Sequence, residues 1–208
     1  MRVLATFSLL AVASSTVFGQ ISQTGPFSGP LSEGFESFPN YSAQSGFFFP
    51  SGSSLFAGAA TINSSSLVIY EPGPAIFGLG DKGLATTNSG AKGLGSPTSG
   101  SSLDLIFSSP MHMFGGYFNV GVGTGATTNL LAFTFYDSAN VQIGSTFNIL
   151  APVDNGMAWM GFTSSLPFTR VQMIGHIPVM DDLQANPVPE PSSLAALSLF
   201  AVAALRRR

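Results

Sequence analysis

Residues 131–150, LAFTFYDSANVQIGSTFNIL, contain the pattern from which the fold class is predicted. Leu131, Phe133 and Phe135 alternate with smaller or more polar residues, which is the period of a strand with one buried face. Turn-forming residues follow at 137–140, and two further apolar runs, 141–143 and 146–150, lead the chain back. The stretch therefore predicts two β-strands joined by a turn.

The same pattern continues on both sides of this stretch. Short apolar or alternating segments, separated by Gly, Pro and Ser, occupy residues 66–70, 103–107, 117–122, 157–162, 168–174 and 177–184. Pro178 predicts that the last of these strands is an edge strand or contains a bulge. The Gly/Ser/Thr-rich residues 73–102 are predicted to form a long surface loop. The fold class that this pattern predicts is all-β, with a single antiparallel β-sandwich.

Charged residues are scarce, and their balance excludes some functions. They make up 8% of the chain, whereas about 25% is typical of globular proteins. Seven Lys and Arg residues against ten Asp and Glu residues give a net charge of −3. Because a nucleic-acid binder needs many cations to neutralise phosphates, we expect no nucleic-acid partner. The absence of cysteine excludes disulfides, thiolate metal sites and cysteine nucleophiles.

The N-terminus has the features of a secretory signal peptide. Arg2 precedes an apolar run over residues 3–13, and Val17 and Gly19 are small residues before a cleavage point at Gln20. The alternative is a buried first strand or helix. We predict a signal peptide with an apolar helix over residues 1–19, followed by one β-sandwich domain over residues 20–186.

The C-terminus combines three unlike elements. The proline-rich residues 186–193, NPVPEPSS, are predicted to form an extended linker, because proline cannot continue a helix or a central strand. The apolar residues 194–205, LAALSLFAVAAL, come next, and the chain ends with Arg206, Arg207 and Arg208. A stable membrane span needs about 20 residues, so this run predicts a short transmembrane helix that serves as a transient anchor. The three arginines would act as a cytoplasmic stop-transfer signal.

Residues 187–208 resemble the PEP-CTERM sorting signal of exported bacterial proteins. The resemblance rests on Val188-Pro189-Glu190-Pro191, the short apolar helix and the arginine cluster, in that order. It implies export, transient anchoring in the inner membrane, and recognition by an exosortase-type membrane transpeptidase. The tail would be removed near the Pro-Glu-Pro motif as the protein moves to the cell surface or the exopolysaccharide matrix. Pro189, Glu190 and Pro191 would then be recognition residues in a substrate, not catalytic ones. The alternative is an ordinary C-terminal anchor.

The middle of the chain resembles the jelly-roll domains of such proteins, which are related to carbohydrate-binding modules. The similar pieces are residues 33–36 (EGFE), 135–137 (FYD) and 180–183 (MDDL). Adjacent side chains of a strand point to opposite faces, so one of Asp181 and Asp182 is expected to face the first strand. The resemblance implies a structural Ca²⁺ held by Glu36 and Asp182, since Ca²⁺ prefers carboxylate and carbonyl oxygens. The alternative is a solvated strand end.

No constellation of residues predicts catalysis. Glycosidases use two carboxylates across a cleft, and the carboxylates that could serve are dispersed along the chain at Glu71, Asp104, Asp137 and Asp154. Trp159 and the tyrosines could form a sugar-stacking platform, but the apolar run 157–162 favours a core position for Trp159. We therefore predict a non-enzymatic protein with a structural or adhesive role, without catalytic residues, and with polysaccharide or matrix proteins as partners. The alternatives are a Ca²⁺-dependent carbohydrate-binding module and, less favoured, a matrix-polymer hydrolase.

Overall fold

The computed structural model describes residues 21–39, 50–64, 67–70, 87–96, 99–120, 129–152, 156–176 and 178–189. Within these residues the chain forms one 3₁₀ turn, Phe56–Gly58, and eleven strands in a single sheet. The strands are β1 Ile21–Thr24, β2 Leu31–Glu33, β3 Ser53–Leu55, β4 Ala60–Asn63, β5 Val68–Tyr70, β6 Gly93–Gly95, β7 Ser99–Val120, β8 Leu130–Tyr136, β9 Gln142–Leu150, β10 Ala158–His176 and β11 Pro178–Pro187.

All strand pairs are antiparallel, so the prediction of an all-β antiparallel protein is confirmed. The predicted signal helix over 1–19 and the predicted apolar helix over 194–205 lie outside the described residues. Among the residues that are described, no helix has the length and apolarity needed to cross a membrane.

The two longest strands, β7 and β10, pair along most of their length and connect two layers. In the first layer, the early half of β7 and the late half of β10 carry β4 on one side and β8 and β9 on the other. In the second layer, the late half of β7 and the early half of β10 carry β11 on one side and β1 on the other. The strands β2 and β6 then pair with β11.

Phenylalanine rings fill the space between the two layers. Phe133 on β8 is fully buried, and its ring centroid lies 5.2 Å from that of Phe118 on β7 and 4.9 Å from that of Phe162 on β10. Because β8 belongs to the first layer and the other two rings to the second, these contacts join the layers face to face. The alternation predicted for Leu131, Phe133 and Phe135 is therefore confirmed, and these side chains form part of the core.

Several predicted strands are halves of longer ones. Nearly all of the predicted segment 157–162 and the whole of 168–174 belong to β10, and its register against β7 shifts between Thr163 and Phe168. There the Ser164 hydroxyl donates a hydrogen bond to the Leu166 carbonyl at 2.6 Å, which satisfies backbone that the ladder leaves unpaired. The prediction of separate strands was wrong because bends of this kind can interrupt a ladder without ending the strand.

Two prolines bear on the bounds of the last strand. Pro178 begins β11, which lies between β6 and β7 and is therefore not an edge strand. The predicted alternative, a bulge, agrees with the register shift of β11 between Asp181 and Gln184. The predicted linker starts later than residue 186, since Asn186 pairs with Met113 and Pro187 pairs with Met111.

Replacing Phe133 with alanine should lower the free energy of unfolding by about 3–5 kcal/mol, because it leaves a cavity where the two layers meet. Chemical denaturation would measure the change. The control is Ile174→Ala on the outer face of β10, where the side chain is 41% exposed, and its effect should stay below about 1 kcal/mol. Equal losses for the two variants would contradict the proposed core.

Candidate functional site

Glu36 and Asp182, the two residues predicted to bind Ca²⁺, both contact segment 87–92. A carboxylate oxygen of Glu36 accepts hydrogen bonds at 2.7 and 2.9 Å from two consecutive backbone N–H groups, those of Ala91 and Lys92. The Asp182 carboxylate accepts hydrogen bonds from the Asn88 side-chain amide at 2.7 Å and from the Ser89 hydroxyl at 2.8 Å. Part of the predicted surface loop is therefore held against the sheet by acidic side chains.

Asp181 contributes a third carboxylate to the same segment. It is fully buried and accepts hydrogen bonds from the backbone N–H groups of Asn88 at 2.8 Å and Ser89 at 3.1 Å. Asp182 has φ of +47°, and the register of β11 shifts between Asp181 and Gln184. Both aspartates contact segment 87–92, Asp181 through the backbone of Asn88 and Ser89 and Asp182 through their side chains. That the two aspartates point to opposite faces of the strand stays a prediction.

Burial of Asp181 raises the pKa of its carboxyl from the usual 3.8 to about 6. Removal from water disfavours the charged form and is the largest cause, and the negative charge of Asp182 acts in the same direction. The backbone hydrogen bonds that the carboxylate accepts oppose this rise, since they favour the charged form. The carboxyl is therefore poised to change its charge in mildly acidic conditions.

The acidic residues have their hydrogen-bonding capacity partly in use. Ca²⁺ takes six to eight oxygen ligands. Within the described residues, no group of three or more histidine, aspartate or glutamate side chains is placed to hold a metal ion. Calcium binding by these two residues stays a prediction.

Trp159 lies on the outer face of the second layer, so its predicted core position was wrong. Its neighbours Met160 and Phe162 are buried, whereas Trp159 is only partly buried. The indole N–H donates a hydrogen bond to the carbonyl of Thr24 on β1 at 3.2 Å. The ring is thus held in a defined orientation at the protein surface.

Two glycines make room for this indole on the sheet. Gly115 on β7 and Gly161 on β10 are directly opposite each other in the ladder. A Cβ atom at Gly115 would lie 2.7 Å from Trp159 Cζ2, and one at Gly161 would lie 2.9 Å from Trp159 Cε2. Either side chain would displace the ring, so the glycine pair is what allows the indole to lie against the sheet.

Two more aromatic rings stand beside Trp159 at steep angles. The Tyr117 and Phe27 ring centroids are each 5.4 Å from that of Trp159, with interplanar angles of 73° and 89°. The three rings line an open recess of about 360 Å³. Its other lining residues add polar groups and one carboxylate; they are Pro26, Ser28, Asp182 and Gln184.

The outer face of the first layer carries a polar network around Arg170. Its guanidinium pairs with the Asp104 carboxylate at 3.0 Å and lies 3.9 Å from the centre of the Tyr136 ring. The Gln172 amide links the two partners, since it donates to Asp104 at 3.3 Å and accepts from the Tyr136 hydroxyl at 3.2 Å. An ion pair with partial access to solvent adds little to stability.

The first half of the predicted sorting motif adjoins the last strand. The Val188 N–H donates a hydrogen bond to the Pro110 carbonyl at 2.9 Å, and Pro189 is exposed. The described residues end there. The rest of the motif and the predicted stop-transfer signal lie beyond them, namely Glu190, Pro191, Arg206, Arg207 and Arg208.

The fold and the recess define the chain as an antiparallel β-sandwich protein with an aromatic surface site. No protein-family model matches the sequence, and no curated protein matches it significantly.

Solved structures with a similar arrangement of strands include two binding modules and an adhesin domain. The K2 cleaved adhesin domain of Lys-gingipain is 13% identical with a TM-score of 0.43, covering 74% of this chain and 96% of that chain. The CBM22-1 xylan-binding domain from Paenibacillus barcinonensis is 10% identical with a TM-score of 0.38, covering 79% and 99%. A family 6 carbohydrate-binding module is 14% identical with a TM-score of 0.35, covering 62% and 87%. At these identities the similarity concerns the arrangement of strands alone.

The raised pKa of Asp181 predicts how stability depends on pH. The folded state binds a proton more tightly than the unfolded chain, so this stabilisation is fully present below about pH 4 and is lost as the pH rises through about 6. In Asp181→Asn this contribution is absent, and the difference in unfolding free energy between wild type and variant should change across that window. Urea denaturation at pH 4, 5, 6 and 7 would measure it. A difference that is constant from pH 4 to 7 would contradict the prediction.

Proposed function

We propose that this is an exported bacterial protein that adheres to polysaccharide of the cell surface or the exopolysaccharide matrix through the recess around Trp159. The role is adhesive and non-enzymatic. The observation that supports it most directly is the partly exposed indole, which the opposing glycines Gly115 and Gly161 allow to lie on the outer face of the sheet.

The composition of the recess suits a saccharide. Small-molecule sites combine an apolar, concave lining with a few polar groups that fix orientation. Here the rings of Phe27, Tyr117 and Trp159 offer the apolar surface against which the C–H groups of a sugar ring can pack. Gln184 and Ser28 supply hydrogen-bonding groups at its edge. The recess is open, so a chain could pass through it without being enclosed.

The positions of the described carboxylates favour saccharide binding rather than glycoside hydrolysis. Glycosidase chemistry needs two carboxyl groups facing each other across the substrate, and Asp182 is the one carboxylate among the described residues that line the recess. Asp104 is paired with Arg170, and Asp137 accepts two backbone hydrogen bonds in the turn before β9. The other two predicted candidates, Glu71 and Asp154, lie outside the described residues.

The proposal of export rests on the two ends of the sequence. The apolar N-terminal run supports secretion, and the motif Val188-Pro189-Glu190-Pro191 with the terminal arginines supports sorting by an exosortase-type transpeptidase. The exposed position of Pro189 is compatible with recognition of this motif next to the folded domain.

Replacing Trp159 with alanine should weaken binding to polysaccharide at least about tenfold, because the stacking surface is lost. Retention on a panel of immobilised bacterial polysaccharides, followed by calorimetry on the best ligand, would measure the effect. The matched control is Tyr136→Ala, which removes a partly buried aromatic ring from the outer face of the other layer. If Tyr136→Ala abolishes binding and Trp159→Ala leaves it intact, the recess is not the site.

Protein recovered from the cell surface should lack residues 1–19 and the terminal arginines. Intact-mass spectrometry of the released protein would establish both ends. A Glu190→Ala variant should instead remain in the membrane fraction with its tail attached, since the recognition motif is damaged. Released wild-type protein that still carries Arg208 would contradict the sorting proposal.

A further inference from the structure

We infer that the recess around Trp159 recognises a cationic amine or alkylammonium group, so that saccharides carrying such a substituent bind better than neutral ones. This inference rests on the proposed function of the same recess, and it names the chemical class of ligand. Three observations carry it: the arrangement of the rings, the position of Asp182, and the positions of the described cations.

The first observation is the convergence of three aromatic rings. Cations are attracted to the negative face of an aromatic ring within about 6 Å of its centre, and Trp is the strongest partner. Phe27 and Tyr117 stand at 89° and 73° to the indole, with centroids 5.4 Å away. Rings that line one recess at steep angles present surfaces from more than one side. A flat stacking platform for a neutral sugar does not need this arrangement.

The second observation is the negative charge beside these rings. Asp182 lines the recess, and its carboxylate is held in place by Asn88 and Ser89. Both of these partners are neutral, so their hydrogen bonds orient the carboxylate without cancelling its charge. Asp181 precedes it in the chain, and Glu36 contacts the same segment 87–92. A carboxylate at the recess favours a cationic ligand over an anionic one.

The third observation is that neither Lys92 nor Arg170, the lysine and the arginine among the described residues, lines the recess. The Lys92 ammonium donates hydrogen bonds to the carbonyls of Phe38 at 2.6 Å and Glu36 at 3.3 Å. Arg170 is paired with Asp104 on the outer face of the other layer. Among the described residues, no basic side chain inside the recess competes with a cationic ligand for the rings or for Asp182.

The direct test compares choline with 3,3-dimethylbutan-1-ol, a neutral molecule of the same shape. Trp159 is the single tryptophan of the chain, so selectively excited tryptophan fluorescence comes from the recess. Titrations at pH 7.5 and low salt, with EDTA present to remove divalent ions, should give roughly five- to tenfold tighter binding of choline. The preference should decrease as sodium chloride is raised, because salt screens the attraction to Asp182.

Two variants separate the effect of Asp182 from a general change in charge. Asp182→Asn keeps a side chain that tolerates the positive φ at this position, and it should reduce the preference for choline to about twofold or less. Glu36→Gln removes the same charge from a residue that does not line the recess, and it should leave most of the preference in place. Matching melting curves would establish that both variants are folded.

The result that would overturn the inference is equal binding of the two molecules by the wild type, or no fluorescence response to either. An unchanged preference in Asp182→Asn would also overturn the role of that carboxylate. Failure of the proposed function has a different signature, since it would appear as polysaccharide retention that does not depend on Trp159. A protein that binds neutral polysaccharide through Trp159 but shows no preference for choline would keep the proposed function and lose the inference.

Discussion

The antiparallel pairing of β7 with β10 is the interaction on which the rest of the structure depends. These two strands run through both layers, and every other strand of the sheet is attached to one of them, directly or through one or two intervening strands. Their inward side chains, such as Phe118 and Phe162, meet Phe133 from β8 and form the core. Because side chains alternate along each strand, the same pairing also determines which residues reach the two outer faces.

The recess follows from this pairing rather than from a separate loop structure. The ladder brings Gly115 opposite Gly161 and Tyr117 opposite Trp159. Because these two neighbouring glycines carry no side chain, the sheet has a shallow depression there, and the adjacent indole occupies it. The irregularity at Asp182 then places a carboxylate beside the rings. The aromatic surface is therefore built on a rigid sheet, which limits the ordering that a ligand would have to impose.

Local patterns predicted the strands, whereas the site depends on long-range register. The alternation of Leu131, Phe133 and Phe135 is a local feature, and it correctly predicted a half-buried strand. Trp159 lies in a run where almost every residue is apolar, so periodicity could not indicate its face. Its position depends on Gly115, more than 40 residues earlier in the chain. Phe27 lies before β2 and reaches the recess only through tertiary packing.

The environment of the single indole, measured by nuclear Overhauser effects in solution, tests the arrangement of the recess most directly. We expect contacts from the Trp159 indole protons to the Hα atoms of Gly115 and Gly161 and to the rings of Phe27 and Tyr117. Contacts to the buried ring of Phe118 instead would place the indole inside the core. That result would contradict both the position of the indole over Gly115 and Gly161 and the aromatic lining of the recess.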